Sequence, residues 1–463
     1  MADAQAKFLS GSPLSHVTVM SLTSSVGLMA VFLVDFIDMI FISMLGKAEL
    51  AAAVGYAGSI LFFTTSFSIG MAIAVGALVA RSLGAGDTDL ARARSVHGLT
   101  FGVVFGVIFA ALVWVNIPLF VWMIGAEGET ARLAEGYLQI VVPSLPFLVV
   151  AMMGGGILRA HGDARRAMMS TIIGGGVNAV LDPILIFGLG LDLTGAALAS
   201  VAARIAIAVA AILPILRHHG GLPRPAFVPM IRDLGPMLTI GFPAILTQFA
   251  TPFGQAIVTR SMAQYGMEAV AGMAIVGRLM PVSFAVIFAL SGAVGPIIGQ
   301  NFGAGNQARV RQTFNAALLF TGVVIALISA ILFVLRGPIA DLFTATGVAR
   351  DLVYLFCGPL ALLFFFNGVL FVSNAGFNNL GHPFYSTWMN WGRNTVAMIP
   401  LVWLGSALFG APGVMVGQAL AGVVFGTVAW FLALRVMTGE GGAQTGDKFD
   451  REGRLMSLLN LRK

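Results

Sequence analysis

Apolar residues come in long runs separated by short stretches of Gly, Pro and charge, and the pattern recurs twelve times along the chain. The runs fall at approximately 17–45, 54–79, 95–122, 135–158, 167–189, 195–216, 236–263, 270–298, 313–335, 351–377, 384–408 and 411–435. Each holds about 20 residues or more, which at 1.5 Å per residue crosses a hydrocarbon core of roughly 30 Å. Lipid satisfies no backbone hydrogen bonds, so these runs are predicted to be helices.

Composition agrees. The 463 residues are 58% hydrophobic and 10% charged, with a mean hydropathy of +0.93, which leaves too little polar surface for a soluble globule. The expected class is an all-α integral membrane protein with twelve transmembrane helices. Met1 to His16 shows neither a basic leader nor a small-residue cleavage site, so the first run is expected to be retained as a span. Cys357 is the single cysteine, which excludes a disulfide or a cysteine-based metal site.

The net charge of +6 is scattered between spans rather than gathered on one stripe, so it speaks for orientation and against nucleic acid. With the N-terminus inside, the inner segments collect arginines such as Arg92, Arg165, Arg166 and Arg309, and a basic tail from Arg435. The outer segments hold Lys47, Arg132, Arg260, Arg336 and Arg350. Both termini are therefore expected in the cytoplasm of a cell (inner) membrane protein.

The halves repeat. Leu83-Gly84-Ala85-Gly86-Asp87 recurs as Phe302-Gly303-Ala304-Gly305-Asn306, and the same offset of 219 relates Glu49 to Glu268 and Gly162 to Gly381. Each half holds an even number of spans, so the copies are parallel and the repeat axis runs along the membrane normal. The sequence thus divides into a first lobe at 1–216, a cytoplasmic linker at 217–235, a second lobe at 236–436 and a cytoplasmic tail at 437–463. The Gly-Ala-Gly pair reads as two tight turns. It is no phosphate loop, since no Gly-Lys-Ser/Thr follows.

Candidate chemistry lies in the acids inside the spans. A carboxylate at membrane depth costs about 2.5–3.5 kcal/mol, so Asp35, Asp38 and Asp182 are candidate functional residues. Asp38 stands eight residues before Gly46, Asp182 about seven before the outer end of the fifth run, and Ser200 five past Gly195. These counts put the three at similar depth in the outer half of the membrane. Asn178 lies one helical turn below Asp182, and Asp35 one turn below Asp38. An all-oxygen set suits a hard cation, and paired carboxylates suit a shared proton. Pro183 follows Asp182 and is expected to bend the fifth span there. Arg204 matches Asp35 in depth and is a candidate charge partner for it. The competing reading is that the acids only bind neighbouring helices together.

These pieces, in order, resemble the multidrug and toxic compound extrusion (MATE) transporters. The matching stretches are Val34 to Gly46 around Asp38, Gly84-Ala85-Gly86, Arg159-Ala160-His161-Gly162-Asp163 and Asn178-Ala179-Val180-Leu181-Asp182-Pro183. Gly188-Leu189-Gly190, Gly195 to Ser200, and Gly299 to Asn306 complete the set. The resemblance implies two six-helix lobes that export amphipathic, often cationic compounds in exchange for H⁺ or Na⁺. In the DinF-like branch it implies an ion site at Asp38, Asn178, Asp182 and Ser200, needing no cofactor or resident metal. The NorM-like branch carries further acids where this chain has Thr251 and Asn367. Asp35 and Arg204 depart from the family pattern.

The function expected is therefore a secondary multidrug antiporter, not an enzyme, whose partners are small molecules and lipid and whose single chain suffices as a monomer. A lipid-linked oligosaccharide flippase of the same superfamily is the alternative. It would want a cationic cavity, which Arg278 and Arg393 keep open. Nothing accompanies the paired carboxylates to make a catalytic nucleophile and base.

Overall fold

The computed structural model describes residues 6–45 and 48–438, without the side chains of Asp35, Ser43 and Ala48. The expected tail at 437–463 lies almost wholly outside these residues, as does Lys47. The described chain is helical throughout, with no strand. Ten helices are long and apolar enough to cross a membrane, or eleven when the bent pair Gly347–Leu363 and Phe365–Asn379 is one span. The 55-residue stretch Pro383–Met437 holds two more crossings in one. Within it Gly410 leaves helical geometry, and Gly405 and Leu401 lie against Gly413 and Gly417, as the arms of a helical hairpin must.

Twelve spans result. The first six are Pro13–Met44, Ala48–Gly84, Thr88–Val115, Gly128–Ala160, Ala164–Gly188 and Asp192–His218. The seventh is Phe227–Ala263, and the eighth joins Met267–Ser283 to Ala285–Gly303. Gln307–Leu342, the bent pair and the hairpin complete the count. Proline accompanies two of the irregularities that hydropathy does not show. The eighth span breaks at Phe284 after Pro281, and the tenth bends by 44° beyond a π-helical turn holding Pro359.

The repeat is visible residue by residue. Gly86 and Gly305 both take left-handed backbone, at φ +79° and +72°, where a side chain would be strained. The next residue then caps the following helix: Asp87 accepts from the Leu90 amide at 2.8 Å and Asn306 from the Arg309 amide at 3.0 Å. Glu49 and Glu268 each stand in the first turn of a helix, the one that follows the first span and the one that follows the seventh.

The chain forms two compact units, each with the same packing. In one, the second span packs against the third and fourth, and the sixth against the fourth and fifth. In the other, the eighth packs against the ninth and tenth, and the twelfth against the tenth and eleventh. Met153 and Leu158 are fully buried in the fourth span, and so are Val372 and Phe377 at the 219-residue offset in the tenth. Large apolar side chains such as Leu112, Val323, Leu327 and Ile331 are exposed, as lipid-facing positions require.

The units divide inside helices, at Ser25/Val26 and Gly241/Phe242. Phe8–Ser25 belongs with the second unit. There the Phe8 amide donates to Gln300 Oε1 at 2.9 Å, and Arg309 donates to the Ser10 and Gly11 carbonyls at 2.7 Å. Residues 227–241 belong with the first unit, where Asp233 meets His97 Nδ1 at 2.6 Å and Arg94 Nε at 3.6 Å. The segment 217–235 is partly helix, since the seventh span begins at Phe227.

Candidate functional site

Asp38, Asn178 and Asp182 converge in the first unit. Asn178 and Asp182 are four residues apart on the fifth span, so one helical turn stacks their side chains on one face. Asn178 Nδ2 donates to Asp182 Oδ2 at 2.6 Å and, across to the first span, to Asp38 Oδ1 and Oδ2 at 3.2 and 3.3 Å. Asp182 is 1% exposed and Asn178 6%, whereas Asp38 is half-buried.

The single Asn178 amide thus brings the two carboxyl groups together at one point. Two ionised carboxylates offer only acceptors, so contact between them needs a proton or a cation. Asp182 Oδ1 is the atom in question. It is buried and has no hydrogen-bond donor among the described residues.

Local structure holds this geometry. The α-helix ends at Pro183, whose missing N–H frees the carbonyl of Ala179, and a π-helical turn, Ile184–Gly188, follows. The bend expected at Asp182 is thus a change of helix type one residue beyond it. Gly174, lower on the same span, lies against Ile207 and the Ala203 carbonyl, a contact that a side chain would block. That close approach fixes the fifth span against the sixth.

Ser200 joins the acids at one remove. Its hydroxyl is 3.5 Å from that of Tyr137 on the fourth span, whose charged neighbours include Arg204, Asp38 and Asp182. Tyr137 escaped the sequence reading because a lone tyrosine in an apolar run carries no periodic signal; its one legible mark is scarcity, as one of five tyrosines in the chain.

Arg204 has partners of its own. Its Nη1 donates to the Val141 carbonyl at 3.1 Å and to Ser144 Oγ at 3.0 Å. These neutral oxygens sit where a 3₁₀ turn, Val142–Ser144, interrupts the fourth span. They satisfy hydrogen bonds without neutralising charge. The side chain of Asp35 lies outside the described residues.

In the second unit, Thr251 is exposed, and Asn367 Oδ1 accepts a hydrogen bond from Arg393 Nη1. Arg278 is exposed. A further charged cluster sits at the turn between the fourth and fifth spans, away from the acids. Asp163 accepts from Arg166 at 2.6 Å and contacts His219 Nε2 at 3.1 Å, while the His161 and His219 rings lie 4.5 Å apart. Burial chiefly pushes the His161 imidazole down to about 4. Burial opposes ionisation of Asp163 too, but hydrogen bonds from His219 and Arg166 outweigh it and hold the carboxyl well below the usual range. Among the described residues no group of His, Cys, Asp and Glu side chains could hold a metal ion.

Comparison with known proteins gives one answer. A FAD transporter of Shewanella oneidensis is 28% identical over 436 residues, covering 92% of this chain and 96% of its own length. Multidrug export protein MepA of Staphylococcus aureus is 25% identical over 423 residues, covering 90% and 92%. Among solved structures, a MOP superfamily transporter from Pyrococcus furiosus superposes with a TM-score of 0.86 at 22% identity, covering 94% of this chain and 98% of that one. A MATE transporter of Vibrio cholerae does so with 0.87 at 21%, covering 92% and 97%. The sequence model of the MatE family matches twice, at residues 24–184 and 243–404, whose starts differ by the 219 residues of the repeat. Those two matches cover most of both halves, and the chain belongs to the MATE family of membrane transporters.

Proposed function

We propose that this protein is a secondary antiporter that exports amphipathic, often cationic compounds in exchange for H⁺ or Na⁺, with its coupling site in the first unit. One observation carries the reading: Asp182 Oδ1 is buried beside a second carboxyl with no donor of its own. A proton or sodium ion held there satisfies that atom and removes the repulsion between the acids. Asn178 supplies an amide that either ion state can use, turning its N–H to the carboxylates or its carbonyl to a cation. Ser200 and Tyr137 form the next ring of hydroxyls.

Coupling follows from linkage. A cationic substrate favours the ionised pair and a bound ion neutralises it, so each weakens the other's binding. The half-buried Asp38 is the entry point and Asp182 the inner acceptor. Arg204 and Asp35 form a charge pair below the site, with Val141 and Ser144 fixing the guanidinium. The protein works as a monomer in the inner membrane with both termini cytoplasmic, which the arginine distribution supports. Its lobes comprise 1–216 and 236–436, with the first halves of the first and seventh spans exchanged in packing.

Ethidium efflux from vesicles under an imposed pH gradient, and separately under a sodium gradient, tests this. One gradient drives export in the native protein, and Asp38→Asn or Asp182→Asn abolishes it. Export unchanged in both variants refutes the site.

A further inference from the structure

Arg393 is a charge in an unusual place. It lies ten residues past Pro383, where the eleventh span begins, so it sits about 15 Å along that span. Asn367 lies twelve residues before Asn379, at the same end of the antiparallel tenth span, and so reaches a similar depth. A guanidinium there is costly unless paired. The described acids of the second unit are Glu268, Asp341 and Asp351, all close to helix ends. None is bonded to Arg393. Its hydrogen bonding among the described residues is confined to Asn367, and its Nε is buried without a partner.

The bonding pattern leaves one edge open. Asn367 takes Nη1, so Nε and Nη2 remain, and this edge presents two parallel N–H groups spaced for two oxygens of one carboxylate or phosphate. The helix is built for the aim as well. Residues Gly392–Ala397 form a π-helical stretch, a distortion that re-directs side chains and recurs at functional sites. Asn367 is held in turn by packing of its amide against Gly422 of the twelfth span. Three spans thus fix the guanidinium of a half-buried residue, and its Nε–Nη2 edge makes no hydrogen bond to the described residues.

We infer that Arg393 is a recognition residue for an oxyanion, with its Nε–Nη2 edge binding the phosphate or carboxylate of a transported compound. The inference rests on the transporter reading and extends its substrates beyond cations. Acidic recognition lies in the first unit and basic recognition in the second. A compound that carries an aromatic body and an anionic group is the expected class.

Flavin mononucleotide and riboflavin differ by one phosphate, so their affinities isolate the oxyanion. Binding to the purified protein in phosphatidylcholine nanodiscs, which lack anionic headgroups, is read from quenching of flavin fluorescence. The native protein binds the phosphorylated flavin at least about ten-fold tighter than riboflavin, the size expected of a charge-assisted bond. Arg393→Gln brings the ratio close to one. Asn367→Asp does the same by seating a carboxylate on the retained guanidinium, and it carries the test should Arg393→Gln fail to fold by thermal melt. Added phosphatidylglycerol that abolishes the preference in the native protein would assign the edge to lipid headgroups and overturn a substrate role. So would a native ratio near one, or a native preference that survives in both variants. The ratio needs no ion gradient, so it stands or falls separately from the antiport reading.

Discussion

Asn178→Ala removes the amide that ties Asp38 to Asp182 without touching either carboxyl. Three contacts vanish: 2.6 Å to Asp182 and 3.2 and 3.3 Å to Asp38. The two longer ones share one N–H, the other N–H serving Asp182, so they count as one bond. A hydrogen bond to a charged group contributes about 1.5–3 kcal/mol, and losing the shorter, better one alone disfavours the ionised, ion-free pair by roughly 10- to 150-fold, so the bound ion is released less readily. The cavity left by the amide is small beside this. Gradient-driven ethidium efflux in vesicles is therefore expected to fall at least ten-fold. The ion concentration needed for half-maximal export should fall by a similar factor. Placing Asn178→Ala in an Asp182→Asn background should add little, since the coupling has already gone. Efflux and gradient dependence both within two-fold of native would show that Asn178 only packs the fifth span, and the coupling site would have to be sought elsewhere.

Arg204→Met leaves the Val141 carbonyl and Ser144 hydroxyl without their donor and lowers the melting temperature; combined with Asp35→Asn it should be milder than either change alone, and a double no better than the singles sinks the charge pair. Gly86→Ala and Gly305→Ala each force a side chain into left-handed backbone with no steric clash around it, so each costs about 1–2 kcal/mol in denaturation, and a neutral result would contradict the turn geometry. Acid should destabilise the turn between the fourth and fifth spans. His161 is held at about 4 in the folded protein by burial, against about 6.5 unfolded, so below pH 6.5 the unfolded chain takes a proton that the folded chain refuses. Stability then declines from pH 6.5 toward 4 by at most about 3 kcal/mol. Asp163, held low, adds a loss at still lower pH as it protonates. Melts at pH 7.5 and 5 should differ less in His161→Gln than in the native protein, and an equal difference would refute the assignment.

Much was legible in the sequence because membranes leave few choices. An apolar run of sufficient length must be a helix, so the twelve spans and their repeat followed from hydropathy and one offset. Relations within one helix were equally plain. Asn178 and Asp182 share a face because they are four apart, and counting from loop ends set Asp38 beside them in depth. Chemistry then followed from cost, since acids at that depth need a reason to be there.

Relations between helices were not legible, because depth along a span says nothing of the direction in which a side chain points. Azimuth is set by packing. Only the folded chain shows that Asn178 bridges both acids, that Ser200 reaches Tyr137 first, and that Arg204 finds a carbonyl and a hydroxyl on the fourth span. The 3₁₀ and π-helical turns that aim Arg204's partners and Arg393 arise where proline or tight packing disturbs the helix, and hydropathy averages over them. The first and seventh spans likewise read as whole helices, yet half of each packs with the other unit. Sequence alone determined how many helices cross the bilayer and which polar groups lie at one level. Tertiary structure decided which of those groups meet, since one residue advances a helix by only 1.5 Å but turns it by roughly 100°.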